Sequence, residues 1–468
     1  MILTRMKKAY KILFLVCFSL IFIYQAKAQS DSLIAVPQYH VVKQNETLLT
    51  ISTKYQISLQ QLIDWNKLKT DQPIPSQLII GYVYYKNKQF INTQPNFLDS
   101  ASIKQKINKM LDISFEERFL LFNAGLKKDS TNRSLIIGGY VDAYYGFYTD
   151  SVGNNNFQKF PTIAPRSGTF GINIVQLSAR YSSEKVRGIF TLHYGDIPAS
   201  AWSPTYNFLQ EANVGIRIVK DLWIDAGFFR THLGCESIQP RENINAGVAL
   251  TTYYDPYFLS GVKLSYKPTE NLMLQLNAFN GYNTFVQINN RKTYGATMVY
   301  EANENFMCSY NALLSHESPD NQEIKQTRFY QDFFFIYKKP KVDIAFELNF
   351  GVQTNSRLKD STQTAFMFST SLIGKYKFKK NIGVFGRSEI FQDNDDMLTG
   401  PIFNTTHQIV GLNATGTSIG GEIKPTEKSY IRAECRYIQT LNGATIFRYQ
   451  GMDRTYRTEW LISTGFWF

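Results

Sequence analysis

The sequence predicts a mainly β chain: a transmembrane antiparallel β-barrel of about sixteen strands, preceded by a small βααβ domain. Two observations predict the barrel. From residue 135 onward, segments in which apolar and polar residues alternate follow one another, and such alternation gives a strand one apolar and one polar face. The connections between these segments are in turn long and short, which is typical of a barrel with short turns on one rim and long loops on the other.

Sixteen segments have this alternating pattern. The first eight predicted strands lie near 136–149, 170–183, 186–197, 207–219, 222–231, 259–267, 272–282 and 293–303. The second eight lie near 306–315, 326–338, 342–354, 364–379, 382–392, 407–423, 429–440 and 457–468. Most have at least the roughly ten residues that a tilted strand needs to cross the hydrocarbon of a bilayer.

The segment 342–353 shows the two faces most clearly. Its apolar face would carry Val342, Ile344, Phe346, Leu348, Phe350 and Val352, and its polar face Asp343, Glu347, Asn349 and Gln353. In a barrel with a water-lined interior the first face meets lipid and the second meets the lumen. A surface sheet with one wet face is the alternative, but the polar face recurs in too many consecutive strands for an exterior alone.

Charged residues at the inward positions are predicted to line the lumen: Asp142, Glu211, Arg217, Asp225, Asp343, Glu347, Arg387, Glu389, Arg432, Glu434 and Arg436. Barrels of this strand count leave an aqueous lumen, in which charges of both signs would set a transverse field. For any one of them, the alternative is that it pairs with a neighbour and braces the wall. The connection 232–258 contains the apolar run 246–250, and it either folds inward as a constriction or extends beyond the membrane.

The first residues predict export. Four bases precede an apolar run over 12–23, and Ala26-Lys27-Ala28 offers a small-x-small cleavage site, so residues 1–28 are predicted to be a signal peptide. Its removal would take five positive charges (Arg5, Lys7, Lys8, Lys11 and Lys27) and lower the net charge from +12 to about +7. The remaining basic charge is spread over short turns, so no nucleic-acid partner is expected.

The remaining cysteines are Cys235, Cys308 and Cys435, an odd number without metal-ligand spacing, so neither a metal nor a cofactor is expected. Four histidines, His193, His232, His316 and His407, lie near outer strand ends or in loops without a nucleophile motif. The chain is therefore not expected to be an enzyme.

Aromatic residues make up 15% of the chain. Those near predicted strand ends are expected to form girdles at the membrane interfaces: Tyr148, Tyr181, Trp223, Tyr266, Tyr282, Tyr300, Tyr337, Tyr376, Trp460 and Trp467. The last residue, Phe468, resembles the terminal signal by which the bacterial barrel-assembly machinery recognises its clients.

Residues 38–85 form the predicted βααβ domain. Apolar residues recur there at helical spacing, and Ser58 with Gln61 makes a capping box for the second helix. Its motifs Glu46-Thr47-Leu48, Trp65-Asn66 and Ile74-Pro75-x-Gln77-Leu78 strongly resemble the LysM domain.

The LysM resemblance implies binding of N-acetylglucosamine-containing glycans, in this compartment peptidoglycan. The groove would be formed by Asn45, Glu46, Thr47, Leu48, Ile74, Pro75, Ser76 and Gln77. Ser76 departs from the family pattern, which usually has Gly before Gln. The alternative is a degenerate module kept as a spacer. Residues 86–134, with helical stretches near 100–110 and 114–124, are predicted to be a partly helical periplasmic linker.

The barrel portion also resembles a family. Stretches such as FGINIVQLSARYSSEKVRGIFTLHYGD and YYDPYFLSGVKLSY are similar to the OmpL-like outer-membrane porins over most of residues 135–468. The resemblance implies a bacterial outer-membrane protein, in contact with outer-membrane lipid, that passes small hydrophilic solutes and holds its LysM domain in the periplasm. The alternative is a structural anchor that ties the outer membrane to the cell wall without significant transport. A homo-oligomer is compatible with either function, but no interface is legible in the sequence.

Overall fold

The computed structural model describes residues 34–42, 46–55, 59–68, 74–85 and 135–468, the last range without 154, 155 and 161. The chain divides into two compact units, 1–102 and 103–468. The predicted signal peptide (1–28) and linker (86–134) lie outside the described residues, as do Asn45 and Ser58. The predicted domain boundaries therefore stay predictions.

The first unit has the predicted βααβ order: β1 (Ile34–Val41), α1 (Leu48–Lys54), α2 (Leu59–Asn66) and β2 (Gln77–Tyr85). The two strands pair antiparallel. Ile51 of α1, Leu62 of α2 and Leu78 of β2 form the buried core. The partly buried side chains of Val42, Leu48, Tyr55, Leu68 and Ile80 pack against this core.

The second unit is a closed antiparallel barrel of sixteen strands. The first eight are β3 (Leu135–Tyr148), β4 (Thr169–Ser182), β5 (Val186–Tyr194), β6 (Leu209–Val219), β7 (Leu222–Arg230), β8 (Phe258–Tyr266), β9 (Leu272–Phe279) and β10 (Thr293–Asn303). The others are β11 (Phe306–His316), β12 (Thr327–Lys338), β13 (Val342–Gln353), β14 (Ala365–Lys379), β15 (Ile382–Asp393), β16 (Leu412–Ile423), β17 (Ser429–Thr440) and β20 (Tyr456–Trp467). The barrel closes where β20 pairs with β3, which confirms the predicted fold.

The connections segregate by length as the sequence predicted. All the short turns lie at one rim, where β3 begins and β20 ends, and all the long connections lie at the other. Three strand boundaries differ from the prediction by three residues or more. β9 ends at Phe279 rather than near 282, and β16 begins at Leu412 rather than near 407. β5 ends at Tyr194 rather than near 197, because Gly195 has a φ of 137° and a short helix, α3 (Asp196–Ala201), follows it. The last long connection holds an unpredicted hairpin, β18 (Phe447–Tyr449) and β19 (Met452–Arg454).

Along the barrel strands, successive side chains point alternately to the interior and to the outside. Along β13 each buried inward residue, such as Glu347, is flanked by more exposed outward residues, such as Phe346 and Leu348. The aromatic prediction is only partly right. Tyr181, Tyr266, Tyr300, Tyr376 and Trp460 are exposed on the outside, and Tyr337 is half-buried there. Tyr148, Trp223, Tyr282 and Trp467 are not on the lipid-facing surface. These latter residues have inward parity or belong to a loop that folds over the lumen.

The interior is not uniformly polar. At the long-loop end, inward wall residues such as Phe279 and Phe391 pack with Phe160, Leu250 and other residues of four long connections in one buried apolar cluster. The sequence analysis expected a water-lined interior. The inward positions are apolar here because long connections fold back and cover them. Within the described residues, no helix has the length and apolar character of a membrane-spanning helix.

Candidate functional site

The first edge of the predicted glycan groove lies at the start of α1. Thr47 precedes α1, and its hydroxyl oxygen accepts a hydrogen bond from the Thr50 backbone N–H at 3.2 Å. The Thr47 backbone N–H donates in return to the Thr50 hydroxyl oxygen at 2.8 Å. This reciprocal cap satisfies backbone groups that the helix itself leaves without partners, and it fixes the loop before α1.

The second edge is fixed by Asn66. Its side-chain nitrogen donates to the carbonyls of Leu62 and Ile79, both at 2.8 Å, and its oxygen accepts the Ile79 N–H at 2.6 Å. The Ser76 carbonyl accepts the Val42 N–H at 2.9 Å, which holds the loop before β2 against β1. Ser76 does not have a left-handed φ, so the backbone here does not require the family's usual glycine.

The predicted groove residues are mostly accessible. Five are exposed and two are half-buried: Thr47, Ile74, Pro75, Ser76 and Gln77, and Glu46 and Leu48. The Glu46 carboxylate contacts His40 at 2.7 Å and Lys54 at 3.2 Å. The sequence analysis did not single out His40, because nothing in its spacing separates it from a solvated strand residue. Glycan binding by these residues stays a prediction.

The barrel interior is dominated by the connection between β7 and β8, residues 231–257, which we call the inserted loop. It contains two short 3₁₀ helices, Pro240–Glu242 and Thr251–Tyr253. Its apolar run 246–250 is almost entirely buried. Of the two alternatives that the sequence left open, the loop therefore folds inward.

Carboxylates on β15 and β17 hold the middle of the inserted loop by its backbone. Glu434 accepts the N–H groups of Ala246 and Gly247, both at 2.8 Å. Glu389 accepts the Leu250 N–H at 2.6 Å. Hydrogen bonds to a charged acceptor are stronger than neutral ones. The carboxylates thus satisfy buried N–H groups of the loop that water does not reach.

The start of the inserted loop is held in the same way by β12 and β13. Asp332 accepts the Gly234 N–H at 3.1 Å, and Glu347 accepts the Cys235 N–H at 3.0 Å. Burial, with the nearby Glu347 carboxylate, raises the pKa of Asp255, which lies in the loop and accepts a hydrogen bond from the Tyr330 hydroxyl at 2.7 Å. Among the described residues, no group of three or more His, Cys, Asp or Glu side chains is arranged to hold a metal ion.

Arg387 lies between the wall and the inserted loop with none of its side chain exposed. Its guanidinium pairs with Glu236 of the loop at 3.1 Å, with Glu389 at 3.5 Å and with Glu434 at 3.6 Å. Glu236 also accepts the Ala249 N–H at 2.6 Å. Burial raises the pKa of Glu236 to about 7, although Arg387 and the Ala249 N–H lower it. Glu236 was not among the predicted site residues, because nothing in its local sequence distinguishes it from the other acids of this connection, Glu242 and Asp255.

Two further arginines of β17 reach the inserted loop. Arg432 donates to the carbonyls of Pro240 and Asn245 at 2.6 and 3.0 Å, and pairs with Glu422 at 2.8 Å. Arg436 reaches the loop at the Tyr253 hydroxyl, at 3.4 Å, and pairs with Glu389 and Glu459 of the wall. The loop and this side of the wall thus form one network of buried charges.

All eleven predicted lining residues face inward, and all except the half-buried Arg217 are buried. Six of them, Glu347, Arg387, Glu389, Arg432, Glu434 and Arg436, belong to the contacts described above. The other five contact wall residues: Asp142 with Asn173, Glu211 with Asn213, Arg217 with Trp223, Asp225 with Arg187, and Asp343 with Lys377. Their role as the lining of a solute path stays a prediction.

A closed sixteen-strand barrel with an apolar outer surface defines the chain as an outer-membrane β-barrel protein. Residues 134–468 match the family described as "Putative beta-barrel porin-2, OmpL-like". Because this match covers most of the chain, the protein belongs to that porin family. Residues 40–80 match the LysM domain. Both resemblances, and their order along the chain, are confirmed.

Several solved structures are similar to the barrel. OmpT of Vibrio cholerae aligns with a TM-score of 0.47 and 10% identity, over 72% of this chain and 99% of that chain. The outer-membrane channel DcaP of Acinetobacter baumannii aligns with a TM-score of 0.48 and 11% identity, over 71% and 97%. OmpF of Salmonella typhi, in complex with daunomycin, gives the same values. No curated protein has significant sequence similarity to the chain.

Proposed function

We propose that this protein is a porin-like channel of the bacterial outer membrane for small hydrophilic solutes, and that its LysM domain binds peptidoglycan in the periplasm. The observation that carries the channel proposal is the network of charges between the inserted loop and the wall, centred on Arg387. Buried ion pairs rarely stabilise a fold more than apolar packing of the same volume. Their presence here supports a role in holding the inserted loop in one position, as the constriction of a channel requires.

Part of the accessible interior lies along β4 and β6, away from the strands that hold the inserted loop most extensively. The loop contacts β12, β13, β15 and β17 through the residues described above. The loop also reaches β4 at Gln176 and β6 at Gln210. Nearer the short turns of these two strands, the inward residues are only half-buried: Ser178, Arg180, Asn213 and Arg217. We place the solute path along this side, between the loop and the wall, where polar side chains meet water.

A liposome-swelling assay tests passage directly. The folded full-length protein is reconstituted, and swelling is followed in neutral sugars of increasing size. We expect rapid swelling with the smallest sugars and a steep fall with size, because the inserted loop narrows the lumen. If no sugar causes swelling although the barrel is folded, the channel proposal is wrong.

The structural anchor is the second candidate, and the burial of ten of the eleven predicted lining residues favours it. An anchor needs only the barrel and the glycan groove.

Sedimentation with purified peptidoglycan tests glycan binding by the LysM domain, which the channel and the anchor proposals share. We expect the full-length protein to sediment, and the exchange Thr47→Arg together with Gln77→Ala at the groove edges to abolish this. The matched control is Asp64→Asn on the outer face of α2. Binding without swelling would identify the anchor.

A further inference from the structure

Basic side chains collect inside the barrel at its short-turn end. Five inward-facing bases there are only half-buried: Arg180 of β4, Arg217 of β6, Lys338 of β12, Lys377 of β14, and Lys424 in the turn after β16. They come from strands on different sides of the barrel. Together they surround the mouth at this rim instead of forming a patch on one wall.

The carboxylates at the same end are recessed. Asp142, Asp225, Asp343 and Glu422 face inward near the short turns, and each is at most 7% exposed. Glu422 lies between Lys375 and Arg432, and Asp343 pairs with Lys377 at 2.7 Å. The negative charge of half-buried Glu301 is balanced by the positive charge of half-buried Lys267. The accessible inner surface therefore carries more positive than negative charge.

This basic surface continues toward the inserted loop. Arg241, in the first 3₁₀ helix of the loop, retains some side-chain exposure and stacks over the ring of Tyr140 with 4.7 Å between guanidinium carbon and ring centroid. Burial lowers the pKa of Arg241, and Arg180 and Arg230 lower it further against the opposing effect of Glu242. The positive charge of Arg180 thus acts on Arg241, so the basic surface continues from the rim to the inserted loop.

We infer that the short-turn mouth of the barrel is an anion-binding vestibule that favours small solutes carrying phosphate or carboxylate groups. Guanidinium and ammonium groups match these anions. A cleft of one sign with low-dielectric walls focuses the field and raises the local concentration of the opposite ion. Selective passage of such anions rests on the proposed channel function, whereas their binding at the mouth does not.

The first test is ion selectivity. The folded full-length protein is placed in a planar bilayer under a tenfold KCl gradient, and its reversal potential is measured. We expect preference for chloride. Arg180→Glu with Arg217→Glu should shift the reversal potential toward that of potassium, and Arg180→Gln with Arg217→Gln should shift it less. Lys359→Glu, on an exposed long loop, is the matched control and should cause no shift.

The second test does not require conduction. Calorimetric titration of the detergent-solubilised full-length protein with tripolyphosphate should show binding that salt weakens and that the double glutamate variant loses by at least about tenfold. Cation preference in the wild type, or tripolyphosphate binding that is absent or equal in both variants and control, overturns the inference. If the folded protein shows no conductance and still binds tripolyphosphate through Arg180 and Arg217, the channel proposal is wrong and the anion-binding vestibule is supported.

Discussion

Arg387 shows how single residues hold the inserted loop. The side chain is fully buried, and three carboxylates share its charge: Glu236 from the loop, and Glu389 and Glu434 from the wall. All three carboxylates also accept backbone N–H groups of the loop. Removing the cation would leave several negative charges close together in a low dielectric, which is more costly than removing a complete pair.

We therefore expect Arg387→Gln to destabilise the protein by roughly 3–5 kcal/mol, the typical cost of breaking a buried ion pair. Urea unfolding of the detergent-solubilised protein, followed by tryptophan fluorescence, measures this loss. The control is Arg357→Gln, which changes an exposed arginine in a long loop and should leave the midpoint where it is. Equal midpoints for the two variants would contradict the central role of Arg387.

Ser76 gives a second prediction at the level of one residue. It is exposed, and its backbone lacks a left-handed φ, so glycine is not needed there for the fold. A side chain at the groove edge would instead limit how closely a sugar approaches the backbone. We expect Ser76→Gly to bind peptidoglycan a few-fold more tightly in sedimentation assays, with unchanged binding for Asp64→Asn. Weaker binding of the glycine variant would show that the hydroxyl itself contacts glycan.

At the scale of elements, the inserted loop depends on wall carboxylates that accept its N–H groups. Glu389→Gln with Glu434→Gln replaces charged acceptors of three such groups by neutral ones, and hydrogen bonds to charged groups are worth about 1.5–3 kcal/mol each. We expect the loop to leave the wall more often. Trypsin should then cleave after Arg241 in the variant and not in the wild type. Glu427→Gln, in an exposed short turn, is the control, and equal resistance in all three proteins would disprove this role.

The closing strand pair makes a separate prediction. The Phe468 N–H donates to the Gly139 carbonyl at 3.1 Å, and a Cβ on Gly139 would lie 2.4 Å from the Phe468 ring. A larger residue at 139 would force the terminal ring aside. We expect Gly139→Val to lower the yield of compact barrel on unheated gels after refolding, and Gly139→Val with Phe468→Ala to restore it. Failure of the double variant to refold would place the defect elsewhere.

Phe468 is also the proposed assembly signal. Its side chain is largely exposed on the outside of the closed barrel, where another protein can reach it. We expect Phe468→Ala to refold normally in detergent but to reach the outer membrane of cells in reduced amount. Reduced refolding in detergent would show instead that the ring serves closure of the barrel.

At the scale of the whole molecule, the alternation of residues carried most of the fold prediction. In β13, for example, the sequence alone assigned Glu347 and Asn349 to the inside, because period two fixes the face of each residue. It could not show what those side chains meet. Contacts such as Glu434 with Ala246 join residues 188 positions apart, and no local pattern encodes such a pairing. The direction of the inserted loop and the role of Glu236 therefore emerged only from the structure.

The same limit explains the aromatic residues that were misplaced. Trp223 and Tyr148 lie near strand ends, as girdle residues do, but their inward parity puts Trp223 beneath Arg187 and Arg217, and Tyr148 against the Ala164 carbonyl. Position along a strand predicts depth in the membrane, whereas parity decides the face. An inward aromatic is then stabilised by loops and cations that come from elsewhere in the chain.

In the proposed channel, solutes pass through the barrel and the inserted loop limits their passage. Planar-bilayer recording of the folded full-length protein beside Glu389→Gln with Glu434→Gln tests this most directly. We predict discrete conductance steps for the wild type and larger steps for the variant, because its loop is less firmly held. Membranes that stay electrically silent with both folded proteins would contradict the claim and identify the barrel as an anchor.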